Sequence, residues 1–128
     1  MSNITLRSTR IPVIEIVNEK LPKDEQLAIM LKHGIKPADK PDEYVGMCHV
    51  ELCPESEKEQ PDKTFCVLME IKGIFIDTSE APNSEVRRNA VLQYLLPHIN
   101  ATLRAVMALA RIPISFIPDS VFSDLINQ

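Results

Sequence analysis

"TFCVLMEIKGIFID", Thr64–Asp77, is the stretch whose reading decides the fold. Phe65, Val67, Met69, Ile71 and Phe75 share one parity, with Gly73 among them. The opposite parity (Thr64, Cys66, Leu68, Glu70, Lys72, Ile74 and Ile76) is mixed. Side chains of a strand alternate between faces, so this pattern predicts a strand with one fully apolar face.

Three further strands are expected before it. "ITLRSTRIPVIEIVNEK" (Ile4–Lys20) is rich in β-branched residues but is interrupted by Pro12. Proline cannot donate to a ladder, so this strand belongs at an edge or carries a bulge. After Pro12 the apolar residues occupy both parities, which predicts cover on both faces. "LPKDEQ" is a polar connection. "LAIMLKHGIK" then alternates, with Leu27, Ile29, Leu31, His33 and Ile35 on one face. Gly34 and Pro37 disfavour a helix there. "YVGMCHVELC" (Tyr44–Cys53) reads as the third strand, and "PESEKEQPDK" as a charged hairpin loop.

Beyond Asp77 the period changes. Asn83 or Ser84 is suited to cap a helix, with Glu85 in its first turn. The helix is expected to run to about Arg111, with a kink or a break at Pro97. Ile99, Leu103, Val106, Met107 and Ala110 form a stripe at helical spacing, and Leu109 widens it. A helix with so little polar surface needs contacts on more than one side. Pro113 and Pro118 hold "IPISFIP" extended, and "DSVFSDLINQ" begins a last short helix. Strands first and helices afterwards predict an α+β fold: a four-stranded antiparallel sheet, a long kinked helix packed on one face, and a short C-terminal helix.

Composition narrows the function. The 128 residues suit one domain spanning 1–128. No stretch reads as a membrane span or a signal peptide, so the cytoplasm is the expected location. The net charge of −4 argues against a nucleic-acid partner. Three cysteines without an export signal read as free thiols. In "CHVELC", Cys48 and His49 point to opposite faces of a strand, and Cys53 differs in parity from Cys48. No second pair at ligand spacing exists, so no metal is expected. Three scattered glycines build no phosphate cradle. No nucleophile signature is present, so neither catalytic residues nor a cofactor are expected. What remains is apolar surface in excess, interleaved with adaptable methionines.

"TFCVLMEIKGIFI", "YLLPHINATLRAVMALARIPI" and "PDSVFSDL" resemble the SecB family of protein-export chaperones. The matching residues are Phe65, Gly73-Ile74-Phe75, Tyr94-Leu95-Leu96-Pro97, Pro113, Pro118, Phe122 and Leu125, within Thr64–Leu125. The resemblance implies a homotetramer built as a dimer of dimers, with long helices between the dimers. It also implies ATP-independent binding of unfolded or precursor polypeptides in apolar grooves, and the export ATPase SecA as a partner. Two departures count against SecA. Leu68 stands where the family carries an acid, with Glu70 one step further along the same face. The family's acidic tail beyond the last helix is also missing from this sequence.

The expected function is therefore a chaperone or holdase for non-native polypeptide. The expected groove residues are Leu21, Leu27, Ile29, Leu31, Ile114, Phe116, Ile117, Phe122 and Leu125. The expected oligomer interface is Ile99, Leu103, Val106, Met107 and Ala110. Ordinary core packing is the alternative for each. An adaptor of the same fold with one dedicated partner, for example an antitoxin, is the alternative function. A small enzyme or metal protein is a third.

Overall fold

A computed structural model describes residues 3–20 and 27–112. The predicted strands β1 (Ile4–Asn18), β2 (Leu27–Pro37), β3 (Glu43–Pro54) and β4 (Phe65–Asp77) form one antiparallel sheet in the order β1-β4-β3-β2. The helix α1 (Ser84–Leu109) packs on one face of it. This is the α+β architecture expected from the order of elements. The predicted C-terminal helix lies outside the described residues.

Register explains the alternation along the chain. Phe65, Val67, Met69, Ile71 and Phe75 of β4 face α1, as do Tyr44, Cys48, Val50 and Leu52 of β3; all are at most 1% exposed. The residues between them lie on the opposite, open face and are mostly half-buried. β1 is an edge strand, and its register shifts between Arg10 and Val13, where Ile11 and Pro12 form a bulge. Proline is tolerated there because the ladder is already interrupted. The expected cover on both faces of β1 is not found: Ile11, Val13 and Ile14 are exposed. Among the described residues no second layer reaches the open face, and α1 leans toward the other three strands.

The central strands are notched where the helix comes closest. Gly46 and Gly73 are directly paired across β3 and β4. A Cβ on Gly46 would stand 2.4 Å from Val91 Cγ2 and 2.7 Å from Phe75 Cε2. One on Gly73 would stand 2.8 Å from Leu6 Cδ1 and 3.2 Å from Leu95 Cδ2. The glycines are therefore required for close approach. Val91 and Leu95 of α1 fill the space that two side chains would have taken.

Both ends of α1 are capped. The Asn83 side chain accepts from the backbone N–H groups of Glu85 (2.9 Å) and Val86 (3.2 Å), as an N-cap should. At the other end Ile112 N–H donates to Met107 O (2.8 Å) and Arg111 N–H to Ala108 O (3.1 Å). That is a Schellman motif with Arg111 in the left-handed region at φ 59°. It ends the helix two residues before the predicted boundary. The helix is not split at Pro97. Leu95, Leu96 and Ile99, all fully buried, hold it against the sheet on both sides of the proline.

Candidate functional site

The site begins at the free edge of the sheet. β2 pairs only with β3, so its other side has no strand among the described residues. Leu27, Ile29, Leu31 and Ile35 alternate along β2 on the helix side. Each is half-buried, packed on the core from one side and open on the other. The result is an apolar ledge running along β2 beside α1. The backbone groups of an edge strand and a row of alternate apolar side chains are what an extended polypeptide needs to dock.

Three of the expected groove residues, Leu27, Ile29 and Leu31, are thus brought together on this ledge. Ile35 continues the same row; its parity in "LAIMLKHGIK" was the signal for it. Leu21, Ile114, Phe116, Ile117, Phe122 and Leu125 lie outside the described residues.

The helical stripe divides into two parts. Ile99, Leu103 and Met107 are 0–1% exposed and belong to the core under α1. They are already covered within one chain and have no surface left to bury against another. Val106 and Ala110 are half-buried at the margin of that core. Leu109 is 86% exposed. The apolar side chains that this part of the helix leaves open are therefore Val106, Leu109 and Ala110, because helical geometry turns successive apolar residues to different sides.

The thiols are structural. Cys48 lies fully buried under α1, while His49 faces the open side of the sheet, so the two diverge as strand parity requires. Burial pushes the Cys48 thiol up to about 12. Burial does the same to Cys66, also to about 12, helped by the Glu51 carboxylate. Such thiols hold their protons and are poor nucleophiles and poor ligands. Among the described residues no group of three histidine, cysteine or acidic side chains is placed to hold a metal ion. Among them, no helix is long and apolar enough to cross a membrane.

One polar cluster was missed. Asp77, 3% exposed at the end of β4, accepts from Arg87 Nε at 2.7 Å and from the Ser79 N–H at 3.0 Å. The Arg87 guanidinium lies 4.8 Å over the Tyr44 ring, and Tyr44 Oη donates to Arg87 O at 3.1 Å. Burial pulls the Asp77 carboxyl up, but the Ser79 and Arg87 hydrogen bonds outweigh it, and the group titrates below the usual aspartate value. Burial and the Asp77 charge push Tyr44 up to about 12. This cluster ties α1 to the sheet. Its three side chains, Tyr44, Asp77 and Arg87, are ten and more residues apart, beyond the reach of a local pattern.

No family model matches the sequence, and no curated protein matches it. Among solved structures, the fold is similar to that of the Mycobacterium tuberculosis Rv1957 SecB-like chaperone, determined in complex with a ChAD peptide from the Rv1956 HigA1 antitoxin. The TM-score is 0.62 at 10% sequence identity, over 87% of this chain and 83% of that one. The likeness is one of fold: a four-stranded antiparallel sheet with a long helix laid across it.

Proposed function

We propose that this protein is an ATP-independent holdase that binds non-native polypeptide along an apolar groove whose wall is the β2 ledge. The observation that carries the reading is the half-buried row Leu27, Ile29, Leu31 and Ile35 on a free sheet edge. Burial of such side chains contributes about 25 cal/mol per Å² of apolar area. The ordering of the bound chain offsets part of it, so affinity is modest and selectivity low. The protein acts by binding, without catalysis and without a cofactor.

Assembly into a homotetramer, a dimer of dimers, belongs to the same proposal. The exposed apolar residues Ile11, Val13 and Ile14 on edge strand β1, and Leu109 on α1, support it. Leu68 on the open face, where the resemblance calls for an acid, weighs against docking to SecA.

The test uses aggregation of a reduced, unfolded client without nucleotide. The wild-type protein is expected to suppress aggregation and to bind the apolar dye ANS. Ile29→Ser with Leu31→Ser is expected to abolish both while the thermal transition persists. A second reading is an adaptor with one dedicated partner, favoured by the antitoxin peptide bound to the similar structure. If neither dye nor client binds while one native protein co-purifies in fixed proportion, the holdase reading is lost to the adaptor.

A further inference from the structure

The open face of the sheet, opposite α1, carries cations that form no ion pair among the described residues. Arg10 of β1 and Lys72 of β4 stand directly opposite each other in register. Like charges in that relation destabilise a sheet. Lys36 of β2 lies one row further along, paired with Val45. Among the described residues none of these three has an ion-pair partner, whereas Arg7, Lys58, Lys63 and Arg87 all have one. A chain with a net charge of −4 thus sets two cations side by side on this face, with a third on the far edge strand.

The same residues line two depressions. One, of about 360 Å³, is bounded by Ser8, Thr9, Arg10, Lys72 and Ile74 over Gly73. The other, of about 230 Å³, lies beside Lys36 over Gly34, with Glu70 on its rim. They share Val45 and Lys72. Gly34 leaves room, the Ser8 hydroxyl and the cations supply donors, and Val45 and Ile74 supply apolar floor between them.

We propose that this part of the open face is a docking site for an acidic polypeptide segment, one carboxylate seated between Arg10 and Lys72 and apolar neighbours lying on Val45 and Ile74. The extent favours a short segment. Four strands at about 4.8 Å spacing put Arg10 and Lys36 roughly 14 Å apart, the span of four or five extended residues. Glu70 and Glu15 on the same face, with the net negative charge, disfavour a long polyanion such as RNA. The bound carboxylate removes the Arg10–Lys72 repulsion, so occupation stabilises the sheet. The site lies on the other side of the sheet from the β2 ledge and does not depend on the holdase reading.

The experiment is fluorescence polarisation with a labelled peptide of about ten residues alternating aspartate with valine, long enough to span the patch. The same peptide with asparagine, and a single-stranded oligonucleotide, serve as comparisons. The acidic peptide is expected to bind, more weakly as salt is raised. The asparagine peptide, and the Arg10→Gln/Lys72→Gln variant with the acidic peptide, are each expected to bind at least about tenfold more weakly, as loss of charge-assisted bonds implies. The variant is expected to melt no lower than the wild type, because the repulsion is gone, and Ile29→Ser to bind the peptide unchanged. Equal binding of the two peptides, or no effect of Arg10→Gln/Lys72→Gln, overturns the proposal. Tighter binding of the oligonucleotide through the same two residues overturns it in favour of a nucleic-acid site.

Discussion

Arg87, in the first turns of α1, donates from Nε to the Asp77 carboxylate at the end of β4 over 2.7 Å, and both side chains are largely withdrawn from water. Removing one partner of a buried pair leaves the other uncompensated. Arg87→Ala is expected to cost about 3–5 kcal/mol, read as a lower midpoint in urea unfolding. Because Asp77 titrates below its ordinary value in the folded protein, its contribution is complete above the usual aspartate range. It is lost as the pH falls through the lower, folded value. Wild-type stability should therefore drop on acidification below about pH 4, and Asp77→Asn should flatten that part of the profile. A variant with an unchanged acid limb would remove Asp77 as its source.

The glycine notch makes a second expectation. Gly46→Ala places a methyl group 2.4 Å from Val91 Cγ2, and overpacking of this kind costs about 1–3 kcal/mol. Part of it should return in Gly46→Ala/Val91→Ala, where the Val91 methyl groups are gone and the contact with Phe75 remains. Gly34→Ala meets nothing within 4 Å and should leave the melting temperature unchanged or raise it. Equal losses at both positions would mean that close approach of α1 is not what the notch serves.

The Schellman cap yields a third. Arg111 adopts φ 59°, where a side chain costs roughly 1 kcal/mol relative to glycine. Arg111→Gly should raise stability by up to about that amount. Thermal melting measures it directly.

Thiol chemistry gives a fourth. With Cys48 and Cys66 pushed up to about 12, the folded protein should react with a thiol reagent such as DTNB far more slowly than an unfolded thiol at the same pH. The rate should rise steeply across the urea transition. Fast labelling of Cys48 in the folded protein would show that α1 opens readily from the sheet.

Assembly gives the last. Leu109→Asp, at an exposed position, should reduce the mass found by light scattering while the melting temperature holds. Met107→Asp should instead unfold the chain, because Met107 sits in the core. An unchanged mass for Leu109→Asp would place the interface elsewhere, with Ile11, Val13 and Ile14 of β1 the next surface to test.

The strand and helix elements were legible in the sequence because each is written in a local period. Alternation in "TFCVLMEIKGIFID" specifies a one-faced strand, Pro12 specifies an edge or bulge, and Asn83-Ser84 marks where the helix starts, with the structure choosing Asn83 as the cap. The row Leu27, Ile29, Leu31 was legible for the same reason. Other features depend on residues brought together across the sheet, and no local period records them. Gly46 and Gly73 are 27 positions apart, yet their pairing decides how closely α1 can lie. Arg10 and Lys72 become neighbours only through the β1–β4 register. Ile99, Leu103 and Met107 share a stripe with Val106 and Ala110, but only the packed helix shows which of them the sheet covers. Periodicity determined which residues share a face; tertiary packing decided what each face meets, since burial is a property of the whole fold.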